Sequence, residues 1–303
     1  MRGRSPLLHL LVAVFILSVC RAAAELRICS YNVQNFNLQK ASNYRLIHTL
    51  TRVLGRCDVS LLQHVVDSGG EAINKLLAAL NRYDDFTYKS VSSQSMGRSP
   101  ADMQQYVFIY RTETVNLTGQ YQYSSKQSFV REPFVVQFQS NRTAIKQFVL
   151  VPLHTEPSNA VHEIDRLYDV FQEVSKKWNN KNVMFLGDFH ASCAYVTRKD
   201  RKNIRLYKNS NFSWLIGDKV DTTVTDATNC AYDRIVVHGE PFLKAITPFS
   251  AKVFNFAKEF KLSKTRVLEV SDHFPIEVRL KSSAPFLLQA TPLLLLLFSW
   301  IVL

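Results

Sequence analysis

The stretch Met184–Val196, MFLGDFHASCAYV, decides how this chain is read. Val183–Leu186 is an apolar run of strand length, and Gly187-Asp188 ends it, so a carboxylate stands at the tip of a buried strand. His190 follows two residues later. The same placement recurs elsewhere: Asn32 follows RICSY, His64 follows SLLQ, and His154 follows FVLVPL. Asp233 precedes RIVVHG, and Asp272-His273 precedes FPIEV. Strand ends of a rigid scaffold hold a chemical site with small positional error. Two aspartates and an asparagine can hold a hard cation through oxygen. Two histidines can carry protons to and from an attacking water and a leaving alkoxide. Together these parts describe metal-assisted hydrolysis of a phosphate ester. Any one of them alone is better explained as a satisfied core or turn residue; their shared placement is the signal.

Outward from this stretch, short Val-, Ile-, Tyr- and Phe-rich runs predict strands at Leu26–Tyr31, Val59–Gln63, Tyr106–Tyr110, Phe134–Phe138, Phe148–Leu153, Val183–Leu186, Arg234–His238 and Ile276–Leu280. Helical periodicity predicts Ser42–Leu54, Glu71–Leu80 and Ala160–Trp178. In the last, Val161, Ile164, Leu167, Tyr168, Phe171 and Val174 form one apolar stripe, which reads as core packing. No repeat or low-complexity linker divides residues 25–281. Strands and helices mixed through one long domain imply an α/β sandwich.

The chain has 303 residues, of which 47% are hydrophobic and 20% charged, an ordinary globular composition that supports one large core. Its ends differ from the rest. Arg2 and Arg4 precede the apolar run PLLHLLVAVFILSV, and Ala22-Ala23-Ala24 follows, the pattern of a secretory signal over residues 1–24. Ser282, Ser283 and Ala284 precede an apolar tail with no basic residue after it, which fits a GPI-attachment signal over residues 282–303. A plain C-terminal membrane segment and simple secretion are the alternatives. Beyond Cys20, four cysteines remain (Cys29, Cys57, Cys193 and Cys230), and an oxidising route suggests two bridges with three pairings open. Asn116, Asn141 and Asn211 open glycosylation sequons. The formal charge is +12, and without Arg2, Arg4 and Arg21 it is 12 − 3 = +9, which favours polyanions such as nucleic acid or acidic membrane. The run Arg198-Lys199-Asp200-Arg201-Lys202 lacks interleaved aromatics and reads as a solvated loop.

The motifs RICSYNVQNF, RCDVSLLQHVVDS, REPFVVQF, VLVPLHTEP, FLGDFHASCAYV, DTTVTDATNCAYDRIVVHGE and VSDHFPIEV occur in one order across residues 25–281. In that order they closely resemble the deoxyribonuclease I family of the endonuclease/exonuclease/phosphatase fold. With Cys29, Cys57 and the apolar tail, the chain looks most like the lipid-anchored branch. The resemblance implies a four-layer α/β sandwich and an endonuclease of low sequence selectivity acting on DNA with Mg2+ and Ca2+. It implies a Cys193–Cys230 bridge, and Cys29–Cys57 is then the natural second. His154 and His273 match the catalytic histidines, and Asp233 the carboxylate behind His273. Asp188, Asp272 and Asn32 match metal- and phosphate-site groups, and Asp221 part of a calcium site. Arg131 and Tyr195 match DNA-backbone contacts, a role that Tyr232 shares. Such contacts position a duplex without reading its sequence.

The chain also departs from the family pattern. His64 and Gln104 stand where the family has glutamates, the first a principal metal ligand and the second a catalytic partner. His190 stands where it has asparagine, and Gln34 and Val66 where it has backbone-contact arginines. YSSKQS, from Tyr123, replaces an acidic calcium loop. His64 removes charge from the cation site and offers nitrogen where magnesium prefers oxygen. Gln104 can keep a hydrogen bond to His154 without stabilising an imidazolium. Three readings follow: a working or weakened deoxyribonuclease, an inactive surface protein that binds DNA or another polyanion, and a nitrogen-rich site of His64, His190 and Asp188 for Mn2+ or another transition metal. A lipid- or sugar-phosphatase is an outside class within the same fold.

Overall fold

Alternation along the strands builds two sheets that share one dry interface. The computed structural model describes residues 25–125 and 129–283; the expected signal at 1–24, the tail from 284 and residues 126–128 of YSSKQS lie outside them. One sheet is ordered β11(Lys252–Val253), β12(Ile276–Leu280), β1(Leu26–Phe36), β2(Val59–Val65), β4(Gln105–Arg111), β3(Tyr88–Ser92). The other is ordered β5(Asn116–Gln122), β6(Phe134–Gln139), β7(Gln147–Pro152), β8(Val183–Asp188), β10(Asp233–His238), β9(Phe212–Trp214). Each carries one parallel pair, β1 with β2 and β7 with β8, and its other pairings are antiparallel.

Successive side chains on a strand point to opposite faces. Met184 and Leu186 therefore enter the core between the sheets, with Leu61, Phe108, Leu150 and Ile235. Val183 and Phe185 face outward against α4(Ala160–Trp178), joining Ile164, Leu167 and Val174. Leu62, Val107 and Ile109 face the other way, against α2(Tyr44–Leu54) and α3(Glu71–Tyr83). Three apolar clusters thus separate four layers, as an α/β sandwich requires.

The helix expected over Ser42–Leu54 is broken at its start. α1(Leu38–Ser42) ends at Asn43, whose φ −82°, ψ 104° is extended, and Asn43 Oδ1 accepts from Arg45 N and Leu46 N to cap α2. All eight expected strands are present. β3, β5, β9 and β11 were not foreseen; they are the edge strands, short or only partly buried, with weak alternation. Between Arg205 and Val270 the remaining short helices include α5(Arg205–Lys208), α6(Glu240–Ala245), α7(Phe256–Phe260) and α8(Lys264–Val270).

The sheets are also tied by polar contacts. Gln63, fully buried at the end of β2, donates from Nε2 to Leu153 O at 2.6 Å and accepts from Asp188 N at 3.1 Å. That clamp leaves no room at Gly187, where φ is +140° and a Cβ would meet Leu153 O at 2.1 Å. Cys29–Cys57 and Cys193–Cys230 are both bridged, with Cα–Cα separations of 6.1 and 6.0 Å.

Candidate active site

The parallel and antiparallel pairings bring the C-terminal ends of β1, β2, β7 and β8 to the same side as the N-terminal ends of β4, β10 and β12. Asn32, His64, Gln104, His154, Asp188, Asp233 and His273 are thereby gathered from both sheets. Asp188 is the hub. Its Oδ2 accepts from Asn32 Nδ2 at 2.9 Å and lies 3.7 Å from His154 Nε2 and 3.5 Å from His273 Nε2. Its Oδ1 accepts from His190 N at 3.2 Å and lies 3.3 Å from His190 Nδ1. Burial works to protonate Asp188, but the surrounding imidazoles, His190 and His273 first, outweigh it and keep the carboxylate ionised.

The two histidines beside Asp188 have opposite surroundings. His273 Nδ1 donates to Asp233 Oδ2 at 2.7 Å, and Ser271 Oγ fixes the backbone by accepting from His273 N and donating to Asn32 O. Burial alone would lower the His273 pKa; Asp233 and then Asp188 outweigh it and push it up to about 10. Burial raises Asp233, and the short bond to the imidazolium keeps the shared proton on His273. His154 has no such support. Its Nδ1 is buried without a hydrogen-bond partner, and burial holds its pKa well below the usual histidine range.

Gln104 explains the difference and corrects an expectation. It does not bond His154: Oε1 accepts from Arg131 Nε at 3.2 Å and Nε2 donates to Asp102 Oδ1 at 3.2 Å. A neutral amide satisfies a guanidinium on one side and a carboxylate on the other, so it turns away from the imidazole. Arg131 is itself buried, with Asp102 at 3.7 Å and Glu156 at 3.8 Å, beneath the cleft rather than on its rim. Tyr106 supports this corner by donating from its hydroxyl to Arg131 O and accepting from His154 N.

His64 and His190 both sit in the left-handed region, at φ 59° and 48°. That conformation is uncommon for residues other than glycine, and asparagine, aspartate and histidine are those that adopt it most readily. The His64 ring lies 5.5 Å from that of His154, tilted by 39°, and burial first, then Arg131, lowers its pKa to about 4. His190 is steadied by a 3.0 Å bond between Nδ1 and Thr155 Oγ1. Tyr195, 40% exposed, and half-buried Tyr232 pack against the His190 ring at 5.3 and 5.2 Å and form an aromatic rim. Asp272 is half-buried beside the site: its N–H donates to Gln34 Oε1, and its carboxylate acts electrostatically on both His64 and His273. Asp221 is turned to loop closure: its Oδ1 accepts from Thr223 N, Thr223 Oγ1 and Cys230 N.

Among the described residues, Asp188, Asp233 and His273 are the one group of three or more His, Cys, Asp or Glu ligand atoms within 4.8 Å of one another. Asp233 and His273 are engaged with each other, so Asp188 is the group best able to hold a cation. His64 and His190 do not join Asp188 in such a group, which argues against a ready-made nitrogen cage. Sequence reasoning passed over Gln63, Thr155, Thr222 and Ser271. Thr222 Oγ1 accepts from Tyr232 N and Asp233 N, and the polar residues at strand ends were the only signal for this group.

A family model described as endonuclease/exonuclease/phosphatase matches residues 29–273. Deoxyribonuclease gamma of Homo sapiens is 42% identical over 94% of this chain and 93% of its own. Deoxyribonuclease-1-like 1 of Homo sapiens is 41% identical over 96% of each, and deoxyribonuclease-1 of Sus scrofa 43% identical over 86% and 93%. A solved endonuclease/exonuclease/phosphatase from Bacteroides vulgatus superposes with a TM-score of 0.59 at 14% identity, covering 86% of this chain and 100% of that one. The last likeness speaks for the fold. Taken with the convergence of both sheets on Asp188, these matches place the chain in the endonuclease/exonuclease/phosphatase family, among its deoxyribonuclease I-like members.

Proposed function

We propose that this protein is a divalent-metal-dependent endonuclease that hydrolyses DNA phosphodiester bonds with low sequence selectivity, at a rate reduced by its own substitutions. One observation carries the reading: two imidazole Nε2 atoms converge on Asp188 Oδ2 at 3.5 and 3.7 Å, one backed by a carboxylate and the other unbacked. The deoxyribonuclease names of relatives at 41–43% identity support the substrate class.

Neutral His154 is the group suited to accept the proton of an attacking water. The His273 imidazolium, held by Asp233, is suited to give one to the leaving alkoxide. Asp188, with Asn32 beside it, would hold a divalent ion, which when bound supplies charge neutralisation at the phosphoryl oxygens. Magnesium tolerates so small a protein donor set because it keeps several waters and takes substrate oxygens. Mg2+ and Ca2+ are the ions the family resemblance implies, and Mn2+ is the one that would better tolerate imidazoles near Asp188. Tyr195 and Tyr232 lie where a backbone would cross the rim, and Arg131 supplies positive potential from below.

The substitutions weaken this arrangement. His154 must carry a proton through the transition state with no partner on Nδ1, and the cation site has lost one carboxylate at His64. The deciding experiment is a divalent-ion screen of plasmid nicking, with the His154→Ala/His273→Ala protein as control. Nicking above that control in at least one ion supports the reading, and its absence in all of them overturns it. The orphaned His154 Nδ1 favours one alternative, a non-catalytic surface protein that binds DNA. In that case salt-sensitive DNA binding survives the double alanine change while no ion gives cleavage.

The two disulfides support a secretory route. No helix of the described residues is long and apolar enough to cross a membrane. We assign surface attachment to lipid replacing the tail near residues 282–284.

A further inference from the structure

We propose that the pole opposite the catalytic cleft is a lipid-contacting face, on which Phe249 enters the headgroup layer of an anionic membrane. The inference rests on the lipid-attachment reading just given. β12 leaves the cleft at His273 and reaches Leu280, so residues 281–283 lie at the far end of the strands. There the chain is pinned to the body. Ser283 N donates to Arg142 O at 2.8 Å, Ser283 Oγ donates to Asn141 O at 2.9 Å, and Lys281 N donates to Ala245 O at 2.8 Å. Lys281 Nζ donates to Lys244 O at 2.6 Å. The polypeptide therefore adds almost no slack of its own between the domain and a lipid attached near residues 282–284, so this pole is the one nearest the headgroups, at the distance the anchor's glycan spans.

The composition of the pole suits that position. Thr247 N donates to Arg279 O at 2.9 Å and seats a turn on which Phe249 is 101% exposed with φ 58°. An aromatic residue in the left-handed region is uncommon, and one with no protein contact has nothing in the fold to offset the strain. Leu243 is 41% exposed on neighbouring α6. Around them stand exposed Lys244, Lys281, Arg142 and Lys146; the acids are Glu240, paired with Lys244 at 2.7 Å, and Glu25, which accepts from Thr247 Oγ1 and pairs with Arg279 at 2.7 Å. An apolar tip within a cationic surround matches an anionic headgroup layer. The cleft then points away from the bilayer, toward soluble DNA.

The test uses the chain expressed with its tail in cells that attach lipid anchors, purified from their membranes and reconstituted in vesicles of phosphatidylcholine with phosphatidylserine. Phe249→Cys carries an environment-sensitive dye, the other cysteines of the domain being bridged. A second protein carries the dye at Ser99→Cys, exposed on the loop that leads to Gln104. Asn141 shares the pole, so both are measured with and without enzymatic deglycosylation. The expected result is a blue shift and protection from aqueous iodide at position 249, quenching there by lipid-borne spin labels, and none of these at position 99. Adding Lys244→Glu and Lys281→Glu should restore iodide access. Co-flotation that a phosphatidylinositol-specific phospholipase abolishes, while position 249 stays aqueous beforehand, overturns the inference and leaves lipid attachment standing; co-flotation that resists the phospholipase overturns lipid attachment and the inference that rests on it. Failure to co-float overturns both.

Discussion

At His154 a missing hydrogen bond sets the expected chemistry. A carboxylate at position 104 would reach the orphaned Nδ1 or draw Arg131 closer, and the first outcome stabilises the imidazolium. Gln104→Glu combined with His64→Glu should raise plasmid nicking with magnesium and calcium by at least about tenfold, a fraction of the roughly 10²–10⁴-fold that a positioned acid–base group contributes. An unchanged rate would remove the account of the departures. His273 offers a test free of turnover. Asp233→Asn should bring its pKa from about 10 down toward the ordinary histidine value, read by NMR titration of the ring. Its raised pKa contributes stability that is full below about pH 6.5 and is lost as pH rises through about 10. His64 acts with the opposite sign. It is held neutral to about pH 4 while the unfolded chain protonates near 6.5, so stability should fall as pH drops through that window. The expected loss at pH 4 relative to pH 7 is of order 1–3 kcal/mol from this group. Urea melts of wild type and His64→Gln should show the variant to be the less acid-sensitive.

At the scale of elements, two features hold the cleft. The strand end at Gly187 is sterically closed, with Leu153 O where a side chain would begin. Gly187→Ala should cost more than about 3 kcal/mol, since clash and an unfavourable φ act together. A melting temperature within a few degrees of wild type would contradict that geometry. The second is the Cys193–Cys230 bridge, which closes a 37-residue separation and ties the Tyr195 loop to the strand carrying Asp233. Replacing both cysteines by serine should lower stability by about 2–4 kcal/mol and expose the 190s loop to proteolysis before the core. The elements that were legible beforehand were those with long alternation or a continuous apolar stripe, such as β8 and α4. β9 and β11 were not, because a strand of three or two residues at a sheet edge has no pattern to read.

The whole molecule separates its functions between two ends. Asn116 opens β5, Asn141 lies in the β6–β7 hairpin, and Asn211 precedes β9; all three sequons fall at the pole away from Asp188. Enzymatic deglycosylation should therefore leave plasmid nicking within about twofold, while a large change would place a glycan at the cleft. The net charge of +9 beyond residue 24 should make DNA affinity fall log-linearly with salt, through counterion release from the duplex.

The sequence by itself determined the ingredients: apolar runs of strand length, polar groups at their ends, four cysteines for two bridges, and the order of motifs that marks the family. Those properties are local, and periodicity or composition is enough to read them. Only the tertiary structure decided which groups meet. Asn32 and Asp188 are 156 residues apart yet share a 2.9 Å hydrogen bond, and no local pattern encodes that distance. Gln104 shows the same limit most clearly. Its residue type allowed a bond to His154, but competition from Arg131, on the segment before β6, and from Asp102, two residues back on its own, directed it elsewhere.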